Sequence, residues 1–408
     1  MRICIAHEYF RPYITGGADL FLVALSDYLV SKGFDIDVIT THQKNLKYEE
    51  LSDDIHIYRF KSSPIKLGYM YQFPGITIPW NYFNYPLISK MKEIMKKADI
   101  LYINNIFQLS FSPFIAATTL NKPIVFDIHD YWSICFKKDL LYNNEPCRIN
   151  NIFNCAKCLL NISFNLDFLV PFYLPLVFID NTLKKHFLKP DFTITHSDFV
   201  RRKVKEFIKT PIQVIPYPYL GKIYKRKGRI GKEIKILFIG RINQQKGAHI
   251  IPEIATELKN QNISYEFDII GGGSILESLK ERSKKLNINF HGPIYDENVK
   301  RKFFLDSDVL LIPSFGEEPF GIVVLEGMAH GLPIISTNRG GLGELVENNE
   351  VGLVCEPDPK KIVKSINRLF SDKKQYKKFS NNGYKNIKKF LPSNIFNEYK
   401  KVFEQLLH

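Results

Sequence analysis

Two glutamates, Glu318 and Glu326, stand eight positions apart in the stretch 313–346, PSFGEEPFGIVVLEGMAHGLPIISTNRGGLGELV. Gly316 and Pro319 break the chain between a strand, Asp308–Ser314, and a helix, Gly321–His330. That helix is apolar on nearly every face, the pattern of a buried helix. A carboxylate on it, Glu326, therefore needs a dedicated polar partner, because an unpaired buried charge is costly. Glu318 lies on the turn beside the helix N-terminus, where free N–H groups and the helix dipole seat an anion such as a diphosphate. Upstream, IGRINQQKG puts Arg241 and Lys246 just past a strand end. A guanidinium fork and an ammonium suit a diphosphate leaving group. Taken singly, each of these residues is as readily a solvated surface group. Together they suit a polyol that carries phosphate.

Three further groups join this set. Gly16 and Gly17, in GGAD after the first strand, open a helix and let backbone approach a phosphate or sugar closely; an ordinary tight turn uses the same residues. Gly271–Gly273 form a similar turn after EFDII. His129 closes the strand Pro123–Ile128 in FDIHDYW and can hydrogen-bond a sugar hydroxyl, or serve only as a structural histidine. Cys135, Cys147, Cys155 and Cys158 crowd one segment. One C-x2-C pair with two outlying thiols can make a structural four-thiolate zinc site; buried free thiols or disulfides are the alternatives. Asp53-Asp54 is an adjacent acidic pair at a strand start and is not spaced as a D-x-D metal motif.

The elements that must hold these residues read as two runs of alternating strand and helix. The first has strands at Arg2–Ala6, Asp35–Thr40, Ile55–Phe60, Ile100–Asn104, Pro123–Ile128, Phe192–His196 and Ile212–Ile215, with a helix at Ala18–Lys32. The second follows a basic connector, 220–233, with strands at Ile234–Gly240, Tyr265–Ile270, Ile288–His291, Val309–Pro313, Pro333–Ser336 and Gly352–Cys355. Short apolar strands between helices give parallel sheets covered on both faces. Ligands of such sheets sit at the carboxyl ends of the strands, where all the candidate residues except the cysteines fall. A chain of 408 residues with 45% apolar content supports at least two such units. The expected units are 1–219, 220–390 and a terminal helix, 391–408.

The E-P-F-G core and the spacing of Glu318 and Glu326 resemble the E-x7-E signature of the retaining glycosyltransferases of family 4. Gly16–Asp19 is similar to that family's G-G-A-[ED] loop, IGRINQQKG to its G-R-x4-K-G, and H-D-Y-W to a subset of its members. The resemblance implies the GT-B fold, two Rossmann-like domains facing a cleft, with the last helix crossing back to the first. It implies transfer of a sugar from a UDP- or GDP-activated donor to a glycan or lipid-linked acceptor of the cell envelope, without catalytic metal. Glu326 then holds the ribose, Arg241 and Lys246 the diphosphate, and Glu318 the donor sugar with the backbone of Phe320, Gly321 and Ile322. Gly16 and Gly17 approach the donor, and His129 takes a sugar hydroxyl. IPYPYL, 215–220, departs from the family's Asn-Gly turn and stiffens the path between the lobes with Pro216 and Pro218. A nucleotide-sugar epimerase, a glycosyl phosphorylase or a non-catalytic partner would use the same fold.

The net charge of +14 favours acidic partners such as phosphorylated substrate or anionic lipid, with nucleic acid a distant third. Neither a signal peptide nor a stretch of eighteen uninterrupted apolar residues is present, so a cytoplasmic protein is expected. The segment 360–408 carries thirteen Lys and Arg against three acidic residues. With the connector and the aromatic stretch 164–178, followed by Lys184 and Lys185, it makes peripheral docking on an anionic membrane an expectation.

Overall fold

The computed structural model describes residues 1–61, 84–135, 138–142, 145–147, 152–163, 170–226 and 231–407. The first lobe is built on β1 (Arg2–Ala6), β2 (Asp35–Thr41), β3 (Glu49–Ser52), β4 (Ile55–Phe60), β5 (Ile100–Ile103), β6 (Ile124–Ile128), β9 (Phe192–Thr195) and β10 (Ile212–Val214). Their order is β10-β9-β6-β5-β1-β2-β4-β3, parallel except for the β3–β4 pair. That hairpin turns on Asp53 and Asp54, both at positive φ (49° and 60°). Two successive left-handed residues make the tight turn whose twist matches a hairpin, and Asp tolerates that conformation. The adjacent acids are thus a turn. Between β6 and β9 a two-strand hairpin, β7 (Leu141–Tyr142) and β8 (Glu145–Pro146), stands apart. This lobe carries α1 (Gly17–Ser31), α2 (Tyr85–Met95), α3 (Ser112–Thr119), α4 (Ile152–Ser163), α5 (Val170–Phe187) and α6 (Asp198–Val204).

The second lobe has β11 (Ile234–Ile239), β12 (Tyr265–Ile270), β13 (Ile288–Gly292), β14 (Val309–Ile312), β15 (Ile334–Thr337) and β16 (Gly352–Cys355), ordered β13-β12-β11-β14-β15-β16 and all parallel. Its helices are α7 (Ile251–Asn260), α8 (Leu276–Ser283), α9 (Glu297–Asp306), α10 (Ile322–Ala329), α11 (Gly341–Asn348), α12 (Pro359–Ser371) and α13 (Lys373–Asn386). The chain order reverses between β11 and β14, so the loops leaving these two strands flank a crevice, as sheets of this kind arrange their ligand sites. Arg241 and Lys246 follow β11; Ser314 and Glu318 follow β14.

A last helix, α14 (Pro392–Gln405), lies on the first lobe. It buries Ile395, Phe396, Tyr399, Val402 and Phe403, a stripe at helical spacing. Phe396 and Tyr399 meet Phe21 of α1 at ring separations of 6.0 and 5.4 Å, and Phe403 meets Tyr102 of β5 at 5.4 Å. The chain crosses between the lobes twice, and the crossings are joined: the Tyr219 amide donates to the Phe390 carbonyl at 2.7 Å. One apolar core runs through this seam, from Phe21 and Ile215 through Tyr217 to Phe320 and Val324. Arg226 of the basic connector turns inward, its guanidinium on Asp308 (3.1 Å) and Tyr376 (2.8 Å), so it is an anchor and not a surface charge.

Candidate functional site

Helix α10 is short because Gly321 begins it and His330 caps its end. Val324, Leu325, Gly327, Met328 and Ala329 are buried, as an all-apolar helix must be. Glu326 is half-buried on its cavity side. Its partner is Lys300 of α9, whose Nζ donates to Oε1 at 2.8 Å. Burial pushes the Glu326 carboxyl above its ordinary range, and the Lys300 ammonium pulls in the opposite direction. The dedicated partner was expected; its identity, 26 residues upstream on another helix, carries no local signal.

Glu318 is buried, and Lys246 Nζ lies 2.8 Å from both of its carboxylate oxygens. Ser314 Oγ donates to Oε1 at 3.1 Å. Sequence reasoning gave Glu318 and Lys246 separate tasks, whereas the structure makes them one ion pair. An ammonium has three donors, so one remains for a phosphate. Lys246 is set by two local features: its amide donates to Asn243 Oδ1 at 2.9 Å, and Gly247 follows at φ 72°. A Cβ on Gly247 would fall 1.8 Å from the Pro313 carbonyl oxygen, so only glycine lets the β11 loop close on the end of β14. Arg241 is exposed at the mouth.

From the first lobe, Asp19 organises the glycine loop. It accepts from the Thr15 amide and hydroxyl, both at 2.7 Å, and from the Gly16 amide at 3.1 Å, and pairs with His7 Nε2 at 2.7 Å. Burial would raise its pKa, but these hydrogen bonds and the His7 charge prevail and lower it. Gly17 is thereby held against α10: a Cβ there would lie 2.6 Å from Ile322 Cδ1. The two lobes also meet where Ser197 Oγ donates to the Pro319 carbonyl at 2.6 Å. Nearby, Glu344 of α11 accepts from the Phe199 amide at 2.9 Å and pairs with Arg202 of α6.

These elements enclose a cavity of about 400 Å³ lined by Gly17, His129, Arg241, Lys246, Glu318, Phe320, Gly321, Ile322 and Glu326, together with Tyr217. Every expected donor residue lines it except Gly16, whose part is to bind Asp19 through its amide. Gly271–Gly273 do not line it either: a Cβ on Gly271 or Gly273 would strike the backbone of Gly240 or Ile242, so this turn packs against the β11 loop. Tyr217 is a lining residue that sequence reasoning missed, as is Ser314, the donor to Glu318. Pro216 and Pro218 were read as stiffening the path between lobes; the Tyr217 ring between them packs on Phe21, His129, His196 and Phe320 in the cavity wall.

His129 lines the cavity, yet its ring is buried and both nitrogens point into protein. Nδ1 meets the Tyr217 hydroxyl and, at 3.1 Å, His196 Nε2; Nε2 lies 3.3 Å from Asp127 Oδ2. Burial holds the His129 pKa down to about 4, against the Asp127 charge that works upward. Asp127, His129 and His196 are the one set of three metal-ligating side chains among the described residues whose ligand atoms lie within 4.8 Å of one another.

The four cysteines gather around the β7–β8 hairpin and α4. Burial, then the neighbouring Cys147 and Cys135, push the Cys155 thiol up to about 11. No three of their sulfurs come within 4.8 Å of one another. A four-thiolate zinc site needs sulfurs about 3.8 Å apart around a bond length of about 2.3 Å, so the thiols as placed do not fit that ion. Lys184, expected on a membrane-facing surface, is instead buried on Asp180 at 2.9 Å; residues 164–169 of that stretch lie outside the described residues.

The description "Glycosyltransferase Family 4" matches residues 15–218, and "Glycosyl transferases group 1" matches 222–386. The uncharacterized glycosyltransferase MJ1607 of Methanocaldococcus jannaschii is 25% identical over 433 residues, covering 99% of this chain and 98% of that protein. YtcC of Bacillus subtilis, which carries a glycosyltransferase name, is 29% identical over 188 residues, and the chain spans 46% of its length. Among solved structures, sucrose-phosphate synthase from Thermosynechococcus elongatus superposes with a TM-score of 0.72 at 18% identity, covering 99% of this chain and 98% of the other. Anabaena HepE in complex with UDP-glucose superposes at 0.66 with 17% identity, covering 99% of this chain and 100% of that one. These neighbours share the GT-B arrangement of two lobes and a crossing helix.

Proposed function

We propose, on the premise that this chain belongs to glycosyltransferase family 4, that it transfers a sugar from a UDP- or GDP-sugar to a glycan or lipid-linked acceptor, with retention of anomeric configuration. The observation that carries the reading is the single cavity in which Glu318, Lys246, Arg241 and Glu326 converge at the crevice between β11 and β14. Anabaena HepE, of the same fold, holds UDP-glucose.

Glu326 accepts the ribose hydroxyls with the oxygen that Lys300 leaves unengaged. Arg241 and the third donor of Lys246 neutralise the diphosphate as charge builds on it, which is where fixed cations lower a barrier most. Glu318, held rigidly by Lys246 and Ser314, accepts hydroxyls of the donor sugar beside the Phe320, Gly321 and Ile322 backbone. His129 acts through Tyr217, whose hydroxyl its Nδ1 holds at the wall of the cavity. The acceptor attacks the face that the diphosphate leaves, and a phosphate oxygen receives the acceptor proton. The protein works on the cytoplasmic face of a membrane. Phe153, Phe178 and Ile179 of α4 and α5 are exposed, as is Lys185 of α5. Apolar side chains flanked by basic ones suit an anionic lipid surface.

The test begins with thermal shift of the full chain against UDP, GDP, ADP and their common sugars. A several-degree rise with one nucleotide is expected, since a ligand at a hundred times its Kd stabilises by about 2.7 kcal/mol. Transfer is then followed with the donor so found, and the anomeric signal of the product is read by NMR. A product of inverted configuration, or no response to any nucleotide, overturns the reading.

A further inference from the structure

The residues behind His129 form a closed polar cluster that the transfer reaction as described does not use. Asp127 on β6 is fully buried, and its Oδ2 accepts the Tyr102 hydroxyl at 2.5 Å and the Tyr399 hydroxyl at 2.8 Å. Tyr399 comes from the crossing helix α14, 272 residues along the chain. Its hydroxyl is the one polar atom that this helix sends into the first lobe's interior among the described residues. His196, after β9, completes the cluster. Its Nδ1 donates to the Ile215 carbonyl at 2.9 Å, and its Nε2 lies 3.1 Å from both His129 Nδ1 and Asp127 Oδ1.

The protons of this cluster can be placed by elimination. A carbonyl only accepts, so His196 Nδ1 carries hydrogen. Both Nε2 atoms then stand within 3.3 Å of Asp127 oxygens, though neither is well aligned for a hydrogen bond. A bare ring lone pair against a carboxylate is repulsive and an N–H is attractive, so both Nε2 atoms carry hydrogen. His129 is neutral, protonated on Nε2, with Nδ1 left as an acceptor beside the Tyr217 hydroxyl. Burial works against the Asp127 charge, but the two histidines and the hydrogen bonds hold its carboxyl well below the usual range.

We infer that Asp127 and Tyr399 are positioning residues for His129: the Tyr399 hydroxyl of the crossing helix holds the Asp127 carboxylate, and that carboxylate fixes the tautomer in which His129 Nδ1 accepts from the Tyr217 hydroxyl and so sets Tyr217 in the wall of the donor cavity. The inference rests on the reading of this cavity, which His129 and Tyr217 both line, as the donor-sugar site. It gives the crossing helix a task in chemistry beyond tying two lobes together. Phe21 packs on His129, Tyr217 and Tyr399 at ring separations of 5.3 to 5.4 Å, which keeps the whole cluster in one orientation.

The test uses the full chain with ring-labelled histidine. The wild type should show a bare Nδ1 and a protonated Nε2 for His129 in its ring ¹⁵N shifts. Tyr399→Phe keeps the packing and removes one donor to the carboxylate. A fall of about three- to tenfold in kcat is expected, the scale of one ordinary hydrogen bond, with donor KM and nucleotide affinity unchanged within twofold. Asp127→Asn should mix the two tautomers in the ring spectrum. If Asp127→Asn does not fold, Tyr102→Phe joins Tyr399→Phe as the second variant. Unchanged ring signals and unchanged kcat in the folded variants overturn the inference. So does a fall in kcat that tracks lost thermal stability while the ring signals stay as in the wild type. A wild type that binds no nucleotide refutes the functional reading instead, and the ring spectrum still decides the tautomer.

Discussion

Replacing Lys246 with Met removes the ammonium from the Glu318 carboxylate and keeps most of the side chain's apolar bulk. At about 3 Å and an effective dielectric of about 20, the gross attraction of such a pair is roughly 5 kcal/mol. Desolvation of both groups takes back much of that. Glu318 is 9% exposed at its side chain and Lys246 26%, so the pair lies between the buried and the surface case. Exposed pairs are worth about 0.2–1 kcal/mol and breaking a buried one costs about 3–5 kcal/mol. A coupling of about 2 kcal/mol follows. The measurement is urea unfolding of the wild type, Lys246→Met, Glu318→Gln and the double variant, without nucleotide so that binding does not add to stability. Lys246→Met should be the less stable single variant, because it leaves a buried carboxylate with the Ser314 hydroxyl as its remaining side-chain donor. A coupling below about 0.5 kcal/mol, the additive limit for independent sites, would mean that Glu318 is solvated and is not seated by Lys246. The account of a rigid sugar-binding carboxylate would then fail.

Gly340 sits at φ 64° and ψ −146°, and a Cβ there would lie 2.2 Å from the Glu318 carbonyl oxygen, so Gly340→Ala should lower stability by about 1–3 kcal/mol in a thermal melt and abolish transfer. Glu326→Ala should weaken nucleotide binding about tenfold by calorimetry with the fold intact, the scale of a hydrogen bond to a charged group. Because burial raises the Glu326 pKa, nucleotide affinity should decline on acidification at a higher pH than the ordinary value of 4.5 would give. His129 has its pKa lowered from 6.5 to about 4, so its neutral form favours the fold; that contribution is present above pH 6.5 and is lost between 6.5 and 4 at up to about 1.4 kcal/mol per pH unit, and His129→Gln should flatten this part of the stability curve. In vesicle sedimentation, anionic lipid should retain the protein at low salt, and Phe178→Ser with Ile179→Ser should reduce that retention.

The strands of both lobes, β3, β7 and β8 apart, were legible because they are short runs rich in apolar residues between helices and turns, and neighbouring residues determine that pattern. The same holds for α10 and for the loops that bring Arg241, Lys246, Glu318 and Glu326 to one cavity. What was not legible lies in partners far apart along the chain. Nothing near Asp127 points to Tyr399, and nothing near Glu326 points to Lys300. Tyr217 was hidden for a different reason: its neighbours Pro216 and Pro218 draw attention to the backbone, while its role depends on where the seam between lobes places one ring. The net charge of the chain was read as available surface. Arg226 and Lys184 are buried in ion pairs, and Lys361, Lys378, Lys400 and Lys401 are each matched by an acid. Composition counts charges, and folding decides which of them face outward.

Because the two crossings are joined at Tyr219 and Phe390, the second lobe enters and leaves the first at one point and is, in chain terms, an insertion within it. A cassette of residues 220–390 has its ends side by side, the geometry in which excision and transplantation disturb the host least. Exchanging donor specificity between relatives therefore requires two cuts. A chimera made by a single cut near residue 220 would carry a foreign last helix into the host's first lobe and replace Tyr399 along with the nucleotide site.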